Sequence, residues 1–222
     1  MTIIQMHWYT VPYKWKPDAS RTICYFEFEN NLNDSSWNNN NATASNNIWF
    51  DTVWWQYVAK ITGTQWYIKL PNLWNWIWTG DFTISYWIYP VSSWRDVWMF
   101  LINNSSLSPN MFMLSNSNLY IRPPVWWQQP WSLTVNTWQY VTFIRISWVC
   151  KFYKNATQLG SSWNDTTSIA AGATWLFSRY ESGVNQYFNA WAMMDKFIFE
   201  NVWWDETALT NYYNDTKSTY GL

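Results

Sequence analysis

The 222-residue chain carries 13 Lys+Arg against 14 Asp+Glu, for a formal net charge of −1. A chain this close to neutrality lacks the basic footprint that phosphate backbones and anionic membrane surfaces select, so nucleic acid and membrane are excluded as expected partners. The length suits one all-β sandwich domain, large enough to fold around its own core without a disulfide or metal.

Residues 1–20 read as an N-terminal arm. Its start, Met1-Thr2-Ile3-Ile4-Gln5-Met6-His7-Trp8, has no basic n-region and no long apolar h-region, so no cleaved signal is expected. No apolar run approaches the ~20 residues of a spanning helix. Strand signals then follow one another. Ile23–Glu29 comes first, and an Asn-dense polar stretch, Asn30–Ala44, follows it. Tyr57–Ile61 and Tyr67–Leu70 lead to Asp81–Pro90, whose side chains alternate Phe82, Ile84, Tyr86, Ile88 on one face and Thr83, Ser85, Trp87, Tyr89 on the other. Val97–Ile102, Met111–Leu114 and Asn118–Arg122 are shorter. Trp138–Ile146 and Val149–Lys154 are separated only by Ser147-Trp148, a gap of hairpin length, and Asn155-Ala156 turns into Thr157-Gln158-Leu159. Thr174–Ser178 and Ala192–Glu200 complete the strands. One helix is expected, capped by Asp205 and running from Glu206 to Tyr213, with residues 215–222 as a tail. Many short strands with turn signals between them argue for a sandwich rather than a βαβ sheet.

The order of these pieces resembles the laminin-G-like family of the concanavalin-A-like superfamily. Cys24-Tyr25-Phe26-Glu27-Phe28-Glu29-Asn30-Asn31-Leu32-Asn33-Asp34 resembles that family's first strand and Asn/Asp loop. Gly63–Pro71 resembles its "D-G-x-x-x-Y-I-x-I-P" strand, and Gly80–Pro90 its "G-D-F-T-I-S-x-W-I-x-P" strand. Trp138–Asn155 resembles the "W-x-x-V … Y-x-N-G" hairpin, and Phe188–Phe199 the closing "F-x-G-x-I-D" strand. The resemblance covers about residues 21–214. It implies an all-β, two-sheet antiparallel jelly-roll sandwich with one short C-terminal helix, extracellular or displayed on a virion or cell surface.

Composition departs from the family in one respect. Trp numbers 23 and Gly 6, whereas Gly alone averages ~7% of residues. Trp37, Trp148, Trp191 and Trp55 fall at or beside places where the family has Gly. Either these tryptophans are real surface contacts, or many come from UGA codons in a genome that decodes UGA as glycine.

Candidate chemistry is sparse. His7 is the single histidine, which leaves neither a Ser-His-Asp nor a Cys-His constellation to expect. A Cys/His zinc site is not expected either, because there is no Cys-x-x-Cys. Cys24 and Cys150 each lie in an apolar run, as buried free thiols or as one disulfide. Glu27 and Glu29 form a close glutamate pair, but on a first strand where the family carries no catalytic acid, so a glycoside hydrolase or lyase ranks last. The resemblance implies at most one structural Ca²⁺, with Asp195 at the family's "I-D" aspartate and Asp34 in the first loop as oxygen ligands. Sugars are usually gripped by aromatic faces with a few directed hydrogen bonds. Loop residues Trp94, Arg95, Trp126, Trp127, Arg179 and Tyr180 fit that pattern. The expected function is therefore a non-catalytic carbohydrate-binding or adhesion module whose partner is a glycan or glycoprotein surface. The alternative is a decoration domain contacting other subunits of a virion, tail or cell-surface assembly.

Overall fold

The computed structural model describes residues 17–222 except 45–47, 54, 64–67, 72–79, 93–96, 104–109, 116–117, 123–130, 165–172, 177–178, 182–183 and 187–189. The arm before residue 17, with His7, lies outside the described residues. The strands are β1 (Thr22–Phe26), β2 (Thr43–Ala44), β3 (Trp49–Val53), β4 (Gln56–Gly63), β5 (Ile68–Leu70), β6 (Phe82–Ser92), β7 (Val97–Asn103), β8 (Asn110–Ser115) and β9 (Asn118–Arg122). They continue as β10 (Trp131–Ser132), β11 (Gln139–Ile146), β12 (Val149–Lys154), β13 (Thr157–Asn164), β14 (Ala173–Leu176), β15 (Arg179–Glu181), β16 (Val184–Gln186) and β17 (Ala190–Glu200). Helix α1 (Glu206–Thr216) and a 3-10 turn at Lys217–Tyr220 end the chain.

The architecture is an all-β, two-sheet antiparallel sandwich with one short C-terminal helix. One sheet runs β13-β12-β11-β6-β17-β4-β3, with β1 also on β17; the other runs β10-β9-β8-β7-β14-β5-β2. Strands β15 and β16 form a separate two-stranded ribbon.

The period-2 pattern of β6 decides how the sheets stack. Phe82, Ile84, Tyr86 and Ile88 face inward, joining Val141, Phe143, Cys150, Phe152 and Phe199 against Ile68, Leu70 and Leu176 of the opposite sheet. Trp87, on the other face of β6, sits in a second cluster with Tyr140, Ile144, Ile198, Trp204, Leu209, Tyr212 and Tyr220. The eight-stranded sheet is thus covered twice, by the other sheet inside and by the C-terminal helix outside. All five residues of β1 are buried as a result, which is why Thr22-Ile23-Cys24-Tyr25-Phe26 reads as a continuous apolar run rather than an alternating one.

Strand β17 keeps both faces supplied by a bulge. Its register against β6 shifts between Asp195 and Ile198, and Lys196 takes φ 49°. The extra residue resets the alternation, so Met194, Phe197 and Phe199 all point into the inter-sheet core.

The Asn-dense loop after β1 has a structural use. Asn38 and Asn40 donate their side-chain amides to the carbonyls of Thr22 (2.6 Å) and Ile23 (2.8 Å), respectively. Ser35 N donates to Tyr25 O at 2.7 Å. The loop therefore satisfies backbone groups of β1 that a neighbouring strand would otherwise take.

Two expectations are corrected, and one open alternative is closed. Strand β1 stops at Phe26, and Phe28 has φ 55°, so Glu27 and Glu29 lie in a turn and do not share a strand face. Residues 215–222 are not a free tail: α1 continues to Thr216, and Tyr220 is buried with its ring 4.1 Å from that of Trp87. A disulfide is ruled out by topology. Cys24 lies on β1 and Cys150 on β12, four strand spacings apart through β17, β6 and β11. That is roughly 19 Å at ~4.8 Å per strand, against the ~6 Å that a disulfide spans. Both are buried free thiols, and burial pushes the Cys24 thiol well above its ordinary range.

Candidate functional site

Register places the strand ends that carry the sequence-predicted ligand residues. Val97 at the start of β7 pairs with Leu114, and Leu114 with Leu119 at the start of β9. Asn110 at the start of β8 pairs with Arg122 at the end of β9, while Asn103 at the end of β7 pairs with Ala173. Arg122, which precedes residues 123–130, therefore lies at the opposite end of the seven-stranded sheet from Val97, whereas Trp131, which follows them, pairs with Leu119 and returns to the register of Val97 three strands away. Trp94 and Arg95, with Trp126 and Trp127, are outside the described residues.

Arg179 and Tyr180 belong with the first pair. Trp175 of β14 pairs with Leu101 and Ala173 with Asn103, so β14 runs toward the end of the sheet where β7 begins. β15 follows at once and lies against β7. A loop was expected at Arg179-Tyr180-Glu181; instead these residues form one arm of the β15–β16 ribbon, with Arg179 opposite Gln186 and Tyr180 opposite Asn185. A tight two-stranded ribbon gives the sequence too few residues for a recognisable strand period, which is why the alternation signal missed it.

At this rim the chain passes between sheets repeatedly: from Gly63 to Ile68, from Ser92 to Val97, from Leu176 into the ribbon, and from Gln186 to Ala190. Ser92 pairs with Trp191 and Gly63 with Ala190, so the ends of β6 and β4 meet the start of β17 there. The rim with its ribbon is the candidate site. Backbone pairing places Arg179 and Tyr180 on the ribbon at this rim.

The two acids expected to hold calcium sit elsewhere and are engaged by protein donors. Asp34 is buried and accepts four hydrogen bonds, from Tyr25 N (2.8 Å), Ser36 N (2.9 Å), Ser36 Oγ (2.7 Å) and Asn40 N (2.8 Å). These fill its acceptor positions and organise the loop. Asp195 is fully buried at the β17 bulge. Its carboxylate accepts from Gln56 Nε2 (2.8 Å), Tyr220 Oη (2.5 Å) and Lys196 N (2.7 Å), tying β4, β17 and the C-terminal turn together. Burial raises its pKa to about 7, against the pull of Lys196 and the Tyr220 hydrogen bond, with Glu29 adding to the rise. Among the described residues no group of three His, Cys, Asp or Glu could hold a metal ion.

Exposed aromatics form another surface. Trp49, Trp55 and Tyr57 lie on the β3–β4 hairpin at one edge of the larger sheet, exposed by 63%, 99% and 39%. Sequence reasoning did not single out Trp49, because β3 was not recognised as a strand, and it read Tyr57 only as the start of the Tyr57–Ile61 strand. No helix among the described residues is long and apolar enough to cross a membrane.

No protein-family model matches the chain, and no curated protein matches it. Solved structures do. The binding domain of Paraclostridial Mosquitocidal Protein 1 matches with a TM-score of 0.73 at 16% identity over 89% of this chain and 52% of that one. The binding domain of botulinum neurotoxin DC in complex with SialylT matches with a TM-score of 0.69 at 15% identity, over 87% of this chain and 51% of that one. Domain 4 of a GH43 extracellular arabinanase from Geobacillus stearothermophilus, in complex with arabinotriose, matches with a TM-score of 0.66 at 16% identity, over 87% of this chain and 98% of that one. The chain thus spans about half the length of the toxin binding domains and nearly all of the arabinanase domain. At 15–16% identity these matches show a shared fold.

Proposed function

We propose that this domain is a non-catalytic carbohydrate-binding module of laminin-G-like type that recognises a glycan or glycoprotein surface outside the cell. The observation that carries the reading is the match of one sandwich to almost the whole of a domain solved with arabinotriose, and to toxin binding domains, one of them solved with SialylT. The rim at β15–β16 is the site proposed for the contact, with Arg179 and Arg95 donating to hydroxyls or a carboxylate and Tyr180 stacking on a ring. Calcium remains a proposal drawn from the family resemblance alone; isothermal titration with Ca²⁺ in the presence and absence of chelator tests it.

A glycan array probed with the intact chain, with calcium present, tests the reading. Binding to at least one glycan is expected, and Arg179→Ala is expected to weaken it by about tenfold to a hundredfold, the loss of a charge-assisted hydrogen bond. No binding to any glycan would overturn it. The second reading, a decoration domain of a virion, tail or cell-surface assembly, draws on the exposed aromatic hairpin edge and on a match to a botulinum neurotoxin DC binding domain solved with rat synaptotagmin II, a protein ligand. A silent array together with a stable complex on a partner subunit would favour it.

A further inference from the structure

We infer that the natural polypeptide carries glycine, encoded by UGA, at positions 55 and 148, while Trp87, Trp138 and Trp204 are genuine tryptophans. The described tryptophans divide by environment. Trp87, Trp138 and Trp204 are 0%, 5% and 5% exposed. Their rings pack on Tyr140, Tyr220 and Tyr212, respectively, at 5.3, 4.9 and 5.4 Å. Two of them also use the indole N–H, Trp204 toward Glu200 Oε2 at 2.5 Å and Trp87 toward Thr216 Oγ1 at 3.2 Å. Glycine at any of these positions would open a cavity under α1.

Trp55 and Trp148 have the opposite character. Val53 pairs with Gln56 and Ile146 with Val149, so each tryptophan is the second residue of a two-residue hairpin loop. Their φ values are 75° and 69°, and Ser147 before Trp148 is at 48°. Positive φ at both central residues defines the turn whose twist matches its flanking strands, and its second position strongly prefers glycine. A bulky side chain in that region is an outlier. Phe28 shows what is needed to hold one there: at φ 55° it is 1% exposed and its ring lies 6.0 Å from that of Phe26. Trp55 is 99% exposed and gains no such burial. Trp148 is half-buried, with the Arg145 guanidinium 5.4 Å from its ring centroid. The surplus of 23 Trp over 6 Gly has the composition that reading UGA as tryptophan would produce. The inference is independent of the glycan reading.

Peptide mass spectrometry of the protein isolated from its natural source decides it. Glycine at 55 and 148 and tryptophan at 87, 138 and 204 is the expected result. Tryptophan at either turn position, or UGG codons there, would overturn the assignment. A second measurement bears on the physical argument: the W55G/W148G double variant is expected to raise the denaturant midpoint of the recombinant chain without changing its slope. An unchanged or lower midpoint would overturn the turn-geometry basis of the inference.

Discussion

The two faces of the eight-stranded sheet are equally buried yet differently built. The inner face is a hydrocarbon surface of Phe, Ile, Val and Tyr packed on the second sheet; Arg145 enters at its rim, donating to Gly80 O at 2.7 and 3.1 Å. The outer face mixes Trp87, Tyr140 and Ile198 with buried Thr83, Ser85, Thr142, Asp195 and Glu200, all roofed by α1 and the C-terminal turn. An apolar face loses stability only when volume is removed. A face of buried polar groups also answers to pH and to the seating of its roof, because each group needs its partner in place.

The largest expected effect probes the inner face. Phe197 is fully buried, 6.2 Å from Phe26 and 6.1 Å from Tyr86 between ring centroids. Phe197→Ala is expected to lower unfolding free energy by about 3–5 kcal/mol in chemical denaturation, with a loss that does not vary with pH. A loss that did vary with pH would break the distinction between the faces.

The pH dependence should arise on the outer face. Burial holds Asp195 at about 7 against an ordinary 3.8, so the folded chain binds its proton more tightly than the unfolded chain. A carboxyl raised in this way contributes stability that is complete below about pH 4 and is lost as pH climbs through 7. Each unit of separation is worth about 1.4 kcal/mol, so the change is at most a few kcal/mol. Asp18 and Asp51 have lowered values and act in the opposite sense at more acidic pH. Denaturation midpoints should therefore fall between about pH 5 and pH 8, and Asp195→Asn should flatten that slope.

These two faces differed in how far the sequence revealed them. The inner face was legible because β6 alternates cleanly, and period 2 is a local signal. Asp205 and the start of α1 were legible for the same reason: a cap is written within four residues. The bulge at Asp195–Ile198 was not, because it depends on which strands lie on either side of β17. Nor was the docking of Tyr220 on Trp87, a contact between residues far apart in the chain. The candidate rim was legible only as residue types. Arg95, Arg179, Trp126 and Tyr180 look alike as loop aromatics and cations, and only the pairing of β14 with β7 places Arg179 and Tyr180 at the end where β7 begins.

The smallest effect sharpens the comparison at the roof itself. Asp205 accepts from Ala208 N at 2.7 Å, and Glu206 places a second acid in the first turn of α1. Asp205→Ala removes one satisfied helix N–H and one favourable charge at the positive end of the helix dipole, a loss of about 1 kcal/mol. Leu209 and Tyr212 hold the helix on the sheet through buried contacts that the substitution leaves intact. Hydrogen exchange should therefore quicken in the first turn of α1 while the inner-face amides of β6 and β11 keep their protection, and Asp205→Asn, which retains the acceptor, should restore most of the difference. If exchange quickened equally on both faces, the roof and the inter-sheet core would be one cooperative unit, and the independence argued for the two faces would fail.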